Sequence, residues 1–396
     1  MTSAASRTDP AARPVVTVLV VDDSQVQRRF LRAAIDADPG FRVVGEARTG
    51  REAVALVDRL RPSIVLMDLD LPVMNGIEAI ERIMAGRPTP IVVYSAYVEG
   101  TDVENAAAAT AAGAVDIVAK PNPGEHGQYE QYAADLRAKL RVASRARVIT
   151  HPRGRLRQNG FTANAERIGR TLIRRKPVTD ENPLPPVERR HIDPLAKDIP
   201  LVVIGASTGG PQALSQLLSE LPADFAPAVL VVQHMADGFI EGLAGWLDSM
   251  SPLPVSVGQS GKKIMPGEVT IAPSGVNIVV HDRRLRVTCE DPPATQFHVP
   301  GIDVTFKSVA QALGSEAIGV LLTGMGRDGA AGMKVLHDCG ATTIAQDEES
   351  SAVYGMPAAA RALNAVDHVL PLSDITATLL TLVSHENTEA NEEVGA

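Results

Sequence analysis

The sequence predicts an α/β protein of two folded halves, each a doubly wound and mostly parallel sheet. Three observations carry this reading. Short β-branched apolar runs alternate with segments of helical spacing on both sides of the chain's middle. The middle loses that alternation and turns first basic and then Pro-rich. The length of 396 residues suits two or three domains of roughly 100–200 residues each.

In the first half, residues 15–145, Val16–Val21 reads as a strand, and Val26, Phe30, Leu31 and Ile35 follow at helical spacing. Phe41–Gly45 is a second strand with a helix near Glu52–Leu60, and Ile64–Met67 is a third with a helix after Gly76. Ile91–Tyr94 is followed by an Ala-rich helix, and Val115–Val118 by a closing helix over Tyr129–Val142. Near-continuous apolar strands in five βα repeats imply a parallel sheet covered on both faces, with right-handed crossovers. Residues 1–14 read as a flexible N-terminus. Residues 146–198 read as a linker. From Arg141 to Lys176 there are eleven Lys or Arg and one acidic residue, Glu166, and six prolines follow between Pro177 and Pro200. A solvated tether is the plain reading of such a stretch, and a docking segment for an acidic surface is the sharper one. The second half, residues 199–384, has strand-like runs at Leu201–Ile204, Val229–Val232, Val269–Ala272, Ile278–Val280, Leu285–Thr288, Ile318–Leu322 and Thr342–Ala345. Ile278–Thr288 suggests an antiparallel pair. Residues 385–396 form an acidic, polar tail.

Composition excludes several classes. Hydrophobic residues are 45% and charged residues 21%, which is ordinary for a globular chain and unlike a disordered one. Two cysteines, Cys289 and Cys339, build no disulfide framework and no C-x-x-C zinc pair. No apolar run approaches the ~20 residues of a membrane span. Met1–Pro14 has no apolar h-region. The expectation is a cytoplasmic protein that does not insert in a membrane. A net charge of −9 and only 3% aromatic residues argue against nucleic-acid binding.

The first chemical constellation is acidic. Asp22 and Asp23 follow the first strand, and Asp68 follows the third. A flavodoxin-like strand order sets those strands side by side, so the three carboxylates converge on the crevice at the carboxyl edge. Such a group repels itself unless a cation neutralises it, and an oxygen-only set suits Mg²⁺. Ser95 and Lys120-Pro121 end the fourth and fifth strands, where a hydroxyl and an ammonium can hold a phosphoryl group. A carboxylate can accept that group as an aspartyl-phosphate. This half resembles the receiver domain of bacterial response regulators. The likeness is carried by Val20-Val21-Asp22-Asp23-Ser24, Met67-Asp68-Leu69-Asp70-Leu71-Pro72, Asn75-Gly76, Tyr94-Ser95-Ala96 and Ala119-Lys120-Pro121. The resemblance implies that Asp68 takes a phosphoryl group from a histidine kinase. It implies that Asp23 and Asp68 ligate Mg²⁺, with Asp22 nearby and the Asp70 carbonyl contributing, and that Ser95 and Lys120 read the phosphate. Asn75 stands where such receivers commonly have Asp. Ile117 stands where many have an aromatic switch residue.

The second constellation begins at Gly205-Ala206-Ser207-Thr208-Gly209, which fits the G-x-S-x-G nucleophile elbow between a strand and a helix. A Gly-rich turn of this kind could equally cradle a phosphate or dinucleotide. His234 follows the strand Val229–Val232, and Asp328 follows Ile318–Leu322. Ser207, His234 and Asp328 thus fall at one sheet edge, with the types needed for nucleophile, base and orienting acid. Main-chain N–H groups of the Gly-rich turns can form an oxyanion hole. Their chain order differs from the Ser-Asp-His of α/β-hydrolases, which disfavours that fold unmodified.

Four longer strings resemble the catalytic domain of chemotaxis protein-glutamate methylesterases. They are Ile204–Pro211, Gln233-His234-Met235, Leu322–Ala330 and Tyr354-Gly355-Met356-Pro357, and Ala272-Pro273 and His298-Val299-Pro300 with Asp303 also fit. A receiver, a linker and this domain are that family's architecture, so the resemblance spans nearly the whole chain. It implies hydrolysis of glutamate γ-methyl esters on methyl-accepting chemoreceptors, and deamidation of receptor glutamines by the same acyl-enzyme logic. Ser207, His234 and Asp328 match the catalytic triad, and Thr208 and Met325 match positions lining the active site. No cofactor is implied for the ester chemistry. Arg327 departs from the Asn common before the Asp. Two other outputs compete: an adaptor that has lost hydrolysis, against which the intact Ser207, His234 and Asp328 speak, and a DNA-binding output, for which no helix-turn-helix is present.

Overall fold

The computed structural model describes residues 14–95, 105, 108–121, 129–148 and 199–384. The expected linker lies outside them except for residues 146–148, as do most of the N-terminal segment and the whole acidic tail.

In the first half, β1 (Val16–Val21), β2 (Phe41–Ala47), β3 (Ile64–Met67), β4 (Ile91–Ser95) and β5 (Asp116–Ala119) form a sheet in the order β2-β1-β3-β4-β5. All its pairings are parallel. The helices start where short polar side chains satisfy free N–H groups. Ser24 accepts from the Gln27 N–H, Thr49 from Glu52 and Asn75 from Glu78. The Asn75 amide oxygen does the capping work of the commoner Asp, at 2.8 Å from the Glu78 nitrogen. Leu19, Val21, Val65 and Met67 pack on one face against helices Gly50–Leu60 and Gly76–Gly86. Val18, Val20, Ile64 and Leu66 pack on the other against Gln25–Asp36 and Tyr129–Ala143.

The second half is built on a seven-stranded sheet in the order β14-β13-β12-β6-β7-β9-β8. Its strands are β6 (Leu201–Ala206), β7 (Ala228–Gln233), β8 (Val255–Val257), β9 (Val269–Ile271), β12 (Ala317–Leu321), β13 (Thr342–Gln346) and β14 (His368–Leu370). Every pairing is parallel. β10 (Asn277–Val280) and β11 (Val287–Glu290) form the expected antiparallel hairpin. Two strands are not foreseen from the sequence, β8 and β14. Each is three residues long and lies at an edge, too short to show a period. The alternation along β6 divides the core. Val202, Ile204 and Ala206 face one buried cluster with helices Gly210–Ser219, Ile240–Met250 and Leu372–Val383. Leu201 and Val203 face the other, with Ile302–Leu313, Ala330–Asp338 and Met356–Ala362. Trp246 is partly buried against the first cluster, as its helical spacing suggests.

Phe306 is fully buried under β6. Phe306→Ala is expected to remove about 3–5 kcal/mol from the stability of the second half. Thermal unfolding followed by calorimetry checks this, and a transition for that half left in place would contradict the packing described.

Candidate functional site

At the carboxyl edge of the first sheet, β1 and β3 are neighbours, so Asp22 and Asp68 emerge side by side. One carboxylate oxygen from each of Asp22, Asp23 and Asp68 lies within 4.8 Å of the others. Asp22 and Asp68 are buried, while Asp23 faces solvent. Lys120 Nζ donates to Asp68 Oδ2 at 2.7 Å and to Asp22 Oδ2 at 3.1 Å. Burial pushes the Asp68 carboxyl up to about 6, against the pull of the Lys120 ammonium and with a further push from Asp22. Burial also works against the Lys120 charge, but the Asp68 and Asp22 carboxylates outweigh it and hold the ammonium above the usual lysine value. This oxygen-only donor set, with more negative than positive charge, fits a hard divalent cation. Ser95 ends β4, and its carbonyl accepts from the Lys120 N–H at 2.7 Å, so hydroxyl and ammonium come from adjacent strand ends. The Asp70 N–H lies 3.4 Å from Asp68 Oδ1, which places that loop against the acidic cluster. Ile117 is buried in the core, without the reach of an aromatic side chain.

One residue of this site is missed by sequence reasoning. Arg28 is buried and donates to the carbonyls of Asp22 and Asp23 at 2.7 and 2.9 Å and to Glu46 at 3.2 Å. It pins the acidic loop from beneath. The available signal was a charged residue on the buried face of an amphipathic helix.

At the carboxyl edge of the second sheet, β6 lies between β12 and β7. The residues after those strands therefore meet. The Ser207 N–H donates to the Thr323 carbonyl at 3.0 Å, and the His234 N–H to the Ala206 carbonyl at 3.0 Å. Gln233, almost fully buried at the end of β7, donates from Nε2 to the Ser207 carbonyl at 3.0 Å and the His234 carbonyl at 2.7 Å. It clamps the two backbones together, a role its sequence position does not announce. Gly209 has φ +78°, the left-handed region that lets helix Gly210–Ser219 start directly behind the elbow. Gly324 is required by closeness, because a Cβ there would meet Met356 Sδ at 2.4 Å and Ser207 Cβ at 2.7 Å.

His234 Nε2 lies 2.8 Å from Asp328 Oδ2. The Asp328 carboxylate also accepts the N–H groups of Ile302, Asp303 and Gly329 at 2.9, 3.0 and 3.0 Å, at the start of helix Ile302–Leu313. Burial alone would raise this carboxyl, but the His234 bond and the backbone donors hold it below the ordinary value. His234 Nδ1 is buried without a hydrogen-bond partner, and among the described residues no hydrogen bond joins it to Ser207 Oγ. Met325 is half-buried in the same loop as Asp328, and Arg327 is exposed there.

The first half lies directly over this edge. Asp116 Oδ2 accepts from the Thr208 hydroxyl at 2.7 Å, and the Val115 carbonyl accepts from the Gly209 N–H at 3.1 Å. Gln212 Nε2 donates to the carbonyls of Ala114 and Thr110. Phe239 belongs to the same buried cluster as Ala109, Ala112 and Ile117, with Met235 packed against it. The space left beside Ser207, lined by Asp116, Gln233 and His234 among others, is about 10 Å³. That is room for one water at most.

Residues 18–127 match the response regulator receiver domain family, and residues 202–379 match the CheB methylesterase family. Together with the fold, these matches define a response regulator with a hydrolase as its output domain. A protein of Syntrophus aciditrophicus (strain SB), protein-glutamate methylesterase/protein-glutamine glutaminase 1, is 39% identical over 369 residues, 93% of this chain and 98% of its own. A Myxococcus xanthus (strain DK1622) protein, protein-glutamate methylesterase/protein-glutamine glutaminase 4, is 40% identical over 362 residues, 91% of this chain and 95% of its own. The chain belongs to the protein-glutamate methylesterase/protein-glutamine glutaminase family. Among the described residues no helix is long and apolar enough to cross a membrane.

The Asp68 geometry fixes a pH dependence. Its carboxyl titrates at about 6 in the folded chain against an ordinary 3.8, so the folded state holds the extra proton between those values. The stability this proton contributes is fully present below pH ~4 and is lost as pH rises through about 6. Side-chain carbon NMR of the cation-free protein should follow this titration, and Lys120→Met should move it higher. An Asp68 that titrates at the ordinary value would refute the burial cause.

Proposed function

We propose that this chain is a phosphorylation-regulated protein-glutamate methylesterase. It hydrolyses glutamate γ-methyl esters on chemoreceptors, releasing methanol, and deamidates receptor glutamines by the same route. The observation that carries this reading is the meeting of Ser207, His234 and Asp328 at three adjacent strand ends, in a chain of this family.

The geometry supplies a role for each group. Asp328 accepts from His234 Nε2–H, which selects the tautomer whose Nδ1 carries the basic lone pair. Ser207 Oγ brought within hydrogen-bond reach of Nδ1 would complete the proton path. Ser207 Oγ attacks the ester carbonyl while His234 takes its proton. His234 then protonates the departing methoxide, and methanol leaves. Water, deprotonated by His234, opens the acyl-enzyme to glutamate and restores Ser207. With a glutamine substrate, ammonia leaves at the first stage. Thr208 and Gly209 offer donors beside the nucleophile, suited to charge developing on the carbonyl oxygen. Met325 lines the same rim. In the closed arrangement the receiver occupies those donors with the Asp116 carboxylate and the Val115 carbonyl.

Regulation uses the acidic cluster. Asp23 and Asp68, with Asp22 beside them and the Asp70 carbonyl, would hold Mg²⁺, which would screen charge on an incoming phosphoryl group. Asp68 attacks the phosphorus of a phosphohistidine on a histidine kinase, and the imidazole leaves. Ser95 and Lys120 then read the phosphate. Lys120 closes β5, while Asp116 opens the same strand at the Thr208 contact. A shift at one end of so short a strand is felt at the other, which couples Asp68 to the cover over Ser207.

Methanol release from receptor fragments methylated at glutamate tests this reading. Wild type should release methanol faster with Mg²⁺ and acetyl phosphate, and Ser207→Ala should lose at least about 1000-fold. No release by wild type, or equal release by Ser207→Ala, would overturn it. Asp116→Ala removes the acceptor from Thr208 and is expected to raise the rate without phosphodonor by roughly tenfold. An unchanged basal rate in that variant would remove the Asp116–Thr208 contact from the gate.

A further inference from the structure

His298 stands beside the three residues assigned to ester chemistry and has no role in the mechanism above. Its imidazole stacks on that of His234, with ring centroids 4.6 Å apart and planes 12° apart. The Phe297 ring stands perpendicular to it, with centroids 4.9 Å apart. Phe297, His298 and His234 thus form a run of ring contacts that ends on the base.

A hydrogen-bond network holds the loop that carries His298. Gln296 and Asn277 pair their amides at 2.8 Å in both directions. The Gln296 amide also donates to the His298 carbonyl at 2.7 Å, and Asn277 Oδ1 accepts the Gly301 N–H at 2.8 Å. Asn277 is buried at the start of β10, so the loop carrying His298 is tied to the hairpin on both sides. Gly301 in turn leads into helix Ile302–Leu313, whose first N–H groups bind Asp328. One connected unit therefore sets the orienting carboxylate and the stacked ring together.

We infer that His298 is a positioning residue for the base: its ring holds the plane of the His234 imidazole so that Nδ1 stays aimed at the nucleophile while Nε2 stays on Asp328. The inference rests on the esterase reading of Ser207 and His234. The Asp328 bond restrains His234 at one atom and leaves rotation about the line of that bond. A flat surface packed over the ring face removes this remaining freedom. The carrier must also be uncharged when His234 takes up the serine proton, since two stacked imidazolium rings repel. Burial and the neighbouring His234 hold the His298 imidazole below the usual histidine value, with Lys139 adding to that and Asp328 and Asp135 opposing it. These causes together favour the neutral form of the His298 imidazole. A neutral aromatic face over an imidazolium is attractive, so the same contact favours the charged form on the reaction path.

Two variants separate positioning from folding. His298→Phe keeps a flat neutral ring, and His298→Ala removes it. Each is compared with wild type and Ser207→Ala as full-length chain, with Mg²⁺ and acetyl phosphate. Two readouts are taken, methanol release from a methylated receptor fragment and the rate at which a fluorophosphonate labels Ser207. Misdirection of the base should lower kcat of His298→Ala by about 10- to 100-fold with KM unchanged, and slow the labelling alike. His298→Phe should restore both to within about threefold of wild type. Full activity in His298→Ala would overturn the inference. So would a His298→Phe variant as slow as His298→Ala with an unaltered melting temperature. The labelling reaction needs no receptor. If wild type releases no methanol yet its labelling follows the same order, the ester substrate is wrong and the role of His298 stands.

Discussion

The parallel pairing of β6 between β7 and β12 is the constraint on which the second half depends. Parallel strands all end on the same edge, and neighbours in the sheet end within a few ångströms of each other. Ser207, His234 and Asp328 lie far apart in sequence, so local structure alone does not bring them together. The sheet does, because β6 is the first strand laid down and later strands add on both sides of it. The crevice at such a reversal of strand order is where open α/β sheets bind ligands. Further details follow from crowding at that edge. Gly324 must lack a side chain, and the Gln233 amide ties the backbones of Ser207 and His234 together.

The same rule operates in the first half, and the two sheets meet through it. There β1 and β3 bring Asp22 and Asp68 together, and β4 and β5 bring Ser95 and Lys120. The carboxyl end of β5 belongs to the acidic cluster, while its amino end lies over the elbow of the second half. A part-buried ion pair at one end and a part-buried hydroxyl–carboxylate bond at the other make the strand an arm between two polar sites. Both contacts are costly to leave unpaired, so each end favours discrete arrangements over gradual drift.

Much of this was legible in the sequence. The strands that carry chemistry are long apolar runs ending in Asp, Ser, His or Lys, and their order fixes which ends meet once a parallel sheet is assumed. The family likeness rests on those same strand ends. The edge strands β8 and β14 were not legible, because three residues hold less than two full periods of any pattern. Nor were Arg28, Gln233 and the His298 stack. Their roles depend on what lies across the fold from them: the underside of an acidic loop, the gap between two strand ends, and the face of another ring. Asp116 likewise reads as an ordinary residue at a strand start until the other half is placed against it.

Phe239, buried against the first half, and the half-buried Met235 give the covered arrangement an apolar share. Apolar burial carries a large heat-capacity change and weakens on cooling, unlike a hydrogen bond such as that of Thr208 to Asp116. On the gating proposed above, the balance between covered and uncovered Ser207 would vary with temperature at constant phosphorylation. In the cold the cover would be held more by its polar contacts, and uncovering would become easier. A looser cover over Ser207 in the cold would act against the slowing of any bond-breaking there.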